Sequence, residues 1–377
     1  MCINILLEVK HLKITLFSYS DIAVFIIYGL LFLQEFYRID DTLNITPISI
    51  SVVLLIFSLG RKLWVKILPS IFLLICSIIF SALVNANNTS AGGLHTLIYV
   101  IALLASLSFY SDRDCFRKIS LIIKFLVIFT GTISLYMYFA GKQEYTFCLT
   151  GPFGNPNRAG MYFLSLMLLL INWGRGNISF FVVFCFVLIL FTLARSSLLS
   201  AFVIIILTYF KNNKKIIFTT ALIIFLVYIF FFKNNALGEL LLHKFIEAGS
   251  THRTELWTEV LNETFSNAKN ILFGRGSNTI ILYIKDIQVS VHNSYLNFFS
   301  DYGLISFMLL IYFLFKALLN ISDESLLKSS IAILIVGLFE TVLFGGISAL
   351  WVTYILFYIY REENDKIHSV RYIEKTN

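Results

Sequence analysis

Apolar runs, most of them about 15–20 residues long, alternate along this chain with short polar, often basic, connections. They fall at 14–34, 45–60, 64–84, 93–110, 119–140, 158–173, 177–193, 196–210, 216–232, 303–319, 327–344 and 347–360. A helix of about 20 apolar residues crosses roughly 30 Å of hydrocarbon, so the pattern predicts twelve spans. The stretch 177–210 is too long for one crossing and carries Arg195 near its middle, which predicts two helices with a tight turn at Ala194–Arg195. One connection breaks the rhythm. Residues 233–293 form a long loop, and long loops are usually functional. Inside it, HRTELWTEVLNETF at 252–265 places Leu256, Trp257, Val260, Leu261 and Phe265 at the helical period, with Glu255, Glu259 and Glu263 on another face. That predicts an amphipathic helix lying on the membrane surface. The expected fold is all-α and polytopic: a single membrane domain over 1–377 with about twelve transmembrane helices, one large outer loop at 233–293 and a polar tail at 361–377.

Composition agrees with that pattern. Hydrophobic residues make up 58% and charged ones only 14%, against about 25% charged in soluble domains, and the mean hydropathy is +0.83. An ordinary soluble enzyme is excluded. Lys and Arg are sorted by side: nineteen fall in one set of alternating connections and four, Arg38, Lys142, Arg158 and Arg195, in the short loops of the other. The positive-inside rule then puts both termini in the cytoplasm and the 233–293 loop outside. Lys10 and Lys13 precede the first run, and no small-residue cleavage site follows it, so it reads as a retained span. The net charge of +7 does not indicate nucleic-acid binding, because no basic stretch is interleaved with aromatics in a soluble segment. The five cysteines (Cys2, Cys76, Cys115, Cys148, Cys185) form no CxxC pair and support neither a disulfide framework nor a metal site.

Three places could carry chemistry. Arg195, in FTLARSSLLSAF, is an ionised group at the membrane boundary, and its forked donors suit phosphate oxygens; an arginine snorkelling to headgroups explains it equally. In TGPFGNPNRAG at 150–160, prolines and glycines impose an ordered turn that sets Asn155, Asn157 and Arg158 at a helix start, where N–H groups favour an anion or sugar hydroxyls. A plain turn with Asn as cap is the simpler account. The long loop supplies His252, Arg253, the Phe273–Gly276 segment FGRG, and Val291-His292-Asn293 at the membrane re-entry. A histidine at that boundary suits a general base, although a lone histidine is more often structural. The glycines around Arg275 could let backbone approach a phosphate. Glu255, Glu259 and Glu263 are most simply a solvated face. No HExxH, Walker-type loop, DxD pair or Ser-His-Asp spacing is present, which disfavours metal- or nucleotide-driven chemistry.

Four segments, in order, carry a resemblance: GPFGNPNRAG, TLARSSLLSAF, HRTELWTEVLNETFSNAKNILFGRGSNT and VHNSYLNFFSDYGLISF, together spanning 151–307. On these the chain resembles the superfamily of bacterial O-antigen polymerases (Wzy-type) and O-antigen ligases. The resemblance implies a glycosyltransferase of the bacterial inner membrane that works at the periplasmic face on oligosaccharides joined to undecaprenyl pyrophosphate. Such a donor is already activated, so no cofactor and no metal is implied. It also implies roles: Arg195, Arg253 and Arg275 on the pyrophosphate, His292 as the group assisting the acceptor, and Asn155, Asn157, Arg158 and Asn293 along the glycan. Implied partners are the lipid-linked oligosaccharide, membrane lipid, a polysaccharide chain-length regulator and a flippase, with no nucleic acid.

Two further distinctions follow. The HNSYLNFFSDYGLISF segment and the length of 377 residues favour a polymerase, which joins repeat units, over a ligase, which passes the finished glycan to lipid A-core. A transporter or lipid-linked-oligosaccharide flippase is the other class. Transporters commonly carry paired repeats with helix breaks at mid-membrane; here the distinctive residues collect on one side and in one loop.

Overall fold

The computed structural model describes residues 25, 26, 28, 29, 32, 69–85, 119–143, 147–173, 180–209, 253–276, 282–284, 287–289, 291–319, 321, 324–340 and 353. The expected runs at 45–60, 93–110 and 216–232 lie outside these residues, as does nearly all of 14–34 and 347–360, and with them the count of twelve. The described part is helical, as the apolar pattern requires. Its helices are α1 (Pro69–Val84), α2 (Ile119–Phe139), α3 (Pro156–Trp173), α4 (Phe180–Thr192), α5 (Arg195–Tyr209), α6 (Arg253–Thr264), α7 (Ala268–Phe273), α8 (Ser294–Leu319) and α9 (Glu324–Val336). Two of them, at Ser120–Phe139 and Ser294–Phe315, are long and apolar enough to cross a membrane. The all-α expectation needs one amendment: Leu282–Ile284 (β1) and Ile287–Val289 (β2) pair antiparallel, Leu282 opposite Val289. A two-residue connection between β-branched and aromatic residues suits such a hairpin, and the period of two is too short there to stand out in the sequence.

α3 is the centre. Every residue from Met161 to Ile171 is buried, which is the fate of a helix that is apolar all round. α4 packs along it, α2 and α5 flank it, and α9 lies against α5. Tyr28 joins the first span to this core, because its carbonyl accepts from the Tyr162 hydroxyl (3.1 Å) and its own hydroxyl meets Thr353 Oγ1. Between α4 and α5 the chain turns at Leu193–Ala194, with Leu193 in the left-handed region (φ 54°). The long apolar stretch therefore does split where Arg195 interrupts it.

Small residues set how closely these helices approach. A β-carbon at Gly160 of α3 would sit 2.7 Å from Ala194 Cβ and 3.1 Å from Ser197 Cβ. Glycine there lets the start of α3 lie against the α4–α5 turn, the close approach typical of small residues between membrane helices.

A second close contact anchors the polar segment. Gly274 (φ 71°) and Gly303 (φ 79°) pack backbone on backbone: a β-carbon at Gly274 would strike the main chain of Asp301 and Tyr302, and one at Gly303 that of Leu272 and Gly274. Gly303 also kinks α8. Arg275 N donates to Ser300 O (2.9 Å) and Gly276 N to Asp301 O (3.1 Å). From the other side, Ser81 Oγ donates to Phe273 O, and Asn85 Nδ2 to the carbonyls of Phe273 (3.2 Å) and Gly274 (3.3 Å). The FGRG segment is thus wedged between the end of α1 and the kink of α8.

Candidate functional site

The starts of α3, α5, α6 and α8 and the end of α9 meet at one end of the bundle, and each has a local reason to stop or begin there. Pro156 opens α3 at its first position, where a missing N–H costs nothing. Asn155 caps it, its Oδ1 accepting from Asn157 N (2.8 Å). Asn293 caps α8 in the same way, its Oδ1 accepting from Tyr295 N and Leu296 N (both 3.0 Å). Ser294 then ties α8 to the turn that follows α9: its N–H donates to Gly337 O (2.8 Å) and its hydroxyl to Glu340 O (2.6 Å). The opposite ends of these helices meet elsewhere, where Asn172 Nδ2 donates to Ser329 Oγ (2.9 Å) and Lys328 Nζ to Leu207 O (2.8 Å).

At the first end sits a buried carboxylate, Glu340, 5% exposed. Its Oε1 accepts from Asn157 Nδ2 (3.2 Å), Ser196 Oγ (3.4 Å) and Arg253 Nη2 (3.4 Å). Its Oε2 lies 3.3 Å from His292 Nδ1. A charge so deep must be paired and hydrogen-bonded, and four elements supply the partners. With Nδ1 engaged, Nε2 is the ring nitrogen left for another molecule. His292 is itself held in the left-handed region (φ 51°), a conformation that costs a residue with a β-carbon about 1–2 kcal/mol. Among the described residues only His292 and Leu193 combine a β-carbon with positive φ.

The surroundings add unused cationic capacity. Arg195, half-buried at the first position of α5 and next to Ser196, makes no hydrogen bond or ion pair to another described residue. Arg253 Nε is buried without a partner among the described residues. α6, which carries Arg253, is seated by Leu256, Val260 and Thr264, all buried, and by Trp257 Nε1 donating to Val291 O (2.9 Å). That bond fixes α6 to the residue preceding His292. The opposite face of α6, with Glu255, Glu259 and Glu263, is exposed.

Of the residues expected from sequence, Asn157, Arg253 and His292 share one carboxylate, and Arg195 immediately precedes Ser196, which shares it too. Asn155 and Asn293 spend their side-chain oxygens on caps, and Arg158 is exposed. Arg275 lies apart. Its Nη1 is paired with Glu263 Oε2, and its backbone bonds to Ser300, two turns of α8 along from Asn293. The flanking glycines serve contact with α8 backbone. Glu340 and Ser196 were not expected. The signal for Glu340 was in the sequence, because it is an acid inside the apolar run 327–344.

A buried carboxylate ringed by amide, hydroxyl, guanidinium and imidazole thus lies at one end of a helical bundle, two of whose helices are long and apolar enough to cross a membrane. Residues 180–311 match the family model described as O-antigen ligase. The match runs from α4 into α8, takes in Arg195, Ser196, Arg253, Arg275 and His292, and supports the resemblance to the O-antigen polymerase and ligase superfamily. Asn157 and Glu340 fall outside it. No curated protein matches the chain.

Proposed function

We propose that the protein is a polysaccharide repeat-unit polymerase of the O-antigen type, transferring a growing glycan from undecaprenyl pyrophosphate to a new lipid-linked repeat unit at the periplasmic face of the bacterial inner membrane. The observation that carries the reading is the convergence of Asn157, Ser196, Arg253 and His292 on Glu340, beside Arg195, with most of these residues inside the family match. In this reading His292 takes the proton of an acceptor hydroxyl through Nε2. The hydroxyl oxygen bonds to the donor's anomeric carbon. The bond from that carbon to the pyrophosphate oxygen breaks, and its electron pair stays on the phosphate. The guanidiniums of Arg195 and Arg253 stabilise the charge that develops there more than they stabilise the intact donor. Both termini lie in the cytoplasm, and a chain-length regulator and a flippase are the working partners.

Transfer to lipid A-core is the second reading, favoured by the description of the matching family as O-antigen ligase. The banding of lipopolysaccharide from a deletion strain, with and without the restored gene, separates the two. Core bearing a single repeat unit identifies a polymerase. Bare core, with long polymer left on its carrier lipid, identifies a ligase. An unchanged ladder sets both readings aside.

A further inference from the structure

Resting on that reading of the cluster, we propose that Glu340 is the positioning residue of the reaction: one carboxylate sets both the base and an anion-binding arginine. The division of labour is in the two oxygens. Oε2 faces His292 Nδ1 and Oε1 faces Arg253 Nη2. A neutral imidazole carries one N–H, and donation of that hydrogen from Nδ1 to Glu340 leaves the lone pair on Nε2. Nε2 is then the proton acceptor, on a side chain that is still one-third exposed (34%) while the Glu340 side chain is closed off.

The backbone around Glu340 is fixed independently of its carboxylate. Its N–H donates to Val336 O (3.0 Å), its carbonyl accepts from Ser294 Oγ (2.6 Å), and Ser294 N reaches Gly337 O (2.8 Å). Ser294 stands two residues after His292, so the turn after α9 and the base are referred to one another by main-chain geometry. Asn157 and Ser196 complete the carboxylate's acceptor sites from α3 and α5. A carboxylate so clamped can hold its partners without having to find them, which is what a supporting residue at a reaction centre must do.

The test uses the full-length protein in lipid nanodiscs, with lipid-linked repeat units as substrate, and the variants Glu340→Gln, His292→Asn and the two combined. Glu340→Gln is expected to lower kcat about 10²-fold, the scale of a lost general base, with KM for the lipid-linked unit unchanged within about threefold. The double variant is expected to be no slower than His292→Asn alone, since residues that act as one unit are non-additive. A second measurement leaves Glu340 untouched. In the ¹⁵N-histidine spectrum of the wild-type protein, the resonance pair missing from His292→Asn should report a neutral ring protonated at Nδ1. Wild-type kcat in Glu340→Gln, multiplicative losses in the double variant, or a ring protonated at Nε2 would each overturn the assignment and leave the functional reading standing. A wild-type protein that transfers nothing to either acceptor overturns both.

Discussion

His292 Nδ1 and Glu340 Oε2 stand 3.3 Å apart across 48 residues of chain. The span is bridged where the first residues of α8 meet the end of α9 and the turn after it, joined by polar groups: Tyr295 OH donates to Leu334 O (2.9 Å) and Ser294 N to Gly337 O (2.8 Å). That junction delivers the acid to the histidine.

Arg253 should not tolerate lysine. Its fork reaches Glu340 with Nη2 while Nε is buried beside it, and a compact ammonium on a flexible stem lacks that planar, fixed fork. Arg253→Lys is predicted to lose at least about tenfold in transfer rate, approaching the loss in Arg253→Ala, on the scale of charge-stabilising donors. Rates in isolated membranes would decide it. A lysine variant at wild-type speed would show that a point charge is enough.

Arg275 is predicted to matter less. Paired with Glu263, which is half exposed, it belongs to the class of ion pairs worth about 0–1 kcal/mol. Arg275→Ala should keep transfer within about fivefold of wild type under the same principle, against the far larger loss at Arg253. Equal losses at the two positions would restore Arg275 to the pyrophosphate.

The glycine contact at the kink gives a stability prediction. Alanine at Gly274 or Gly303 meets both a positive φ and opposing main chain, and each such backbone defect costs about 1–3 kcal/mol. Either variant should melt several degrees lower in detergent, and Gly160→Ala, where the nearest obstacle is the Ala194 methyl, should fall less. A Gly274→Ala protein with an unchanged melting curve would mean that the contact is looser than described.

Widening the α3–α5 approach should silence the site without touching any charged group. Gly160→Leu is predicted to push α3 off the α4–α5 turn and part Asn157 from Ser196, abolishing transfer. Asn172→Leu breaks a hydrogen bond at the far end of the same helix. Such bonds between membrane helices average about 0.6 kcal/mol, so transfer should stay near wild type. Loss of activity in both variants would place the defect in bundle assembly.

Much of this arrangement can be read from the chain. The apolar runs give the helices because an all-round apolar segment has one fate, and Arg195 marks a turn because a cation does not sit mid-span. The helix starts at Asn155 and Asn293 follow from capping chemistry. Asn157, Arg253 and His292 stand out as polar groups at those starts. Their common partner does not, because convergence is a property of packing and local spacing carries none of it. Glu340 nevertheless met the same criterion as Arg195, an ionisable residue in an apolar run. The glycines of FGRG show why local spacing is ambiguous: a tight approach of backbone looks the same in sequence whether its partner is a phosphate or, as at Gly274, another main chain.

Under the proposed function, a lipid-borne glycan has to slip in from the side, be lengthened and slip out again. Where FGRG lies main chain against main chain with the bent helix and is held from its other side by the Ser81 and Asn85 side chains, no gap can open without breaking hydrogen bonds on both flanks. That seam is a fixed wall. Any doorway for a polyprenyl tail must lie between helices that touch through swinging side chains, and lipid analogues carrying photo-crosslinkers should label those faces and leave Ser81, Asn85 and Phe273 unmarked.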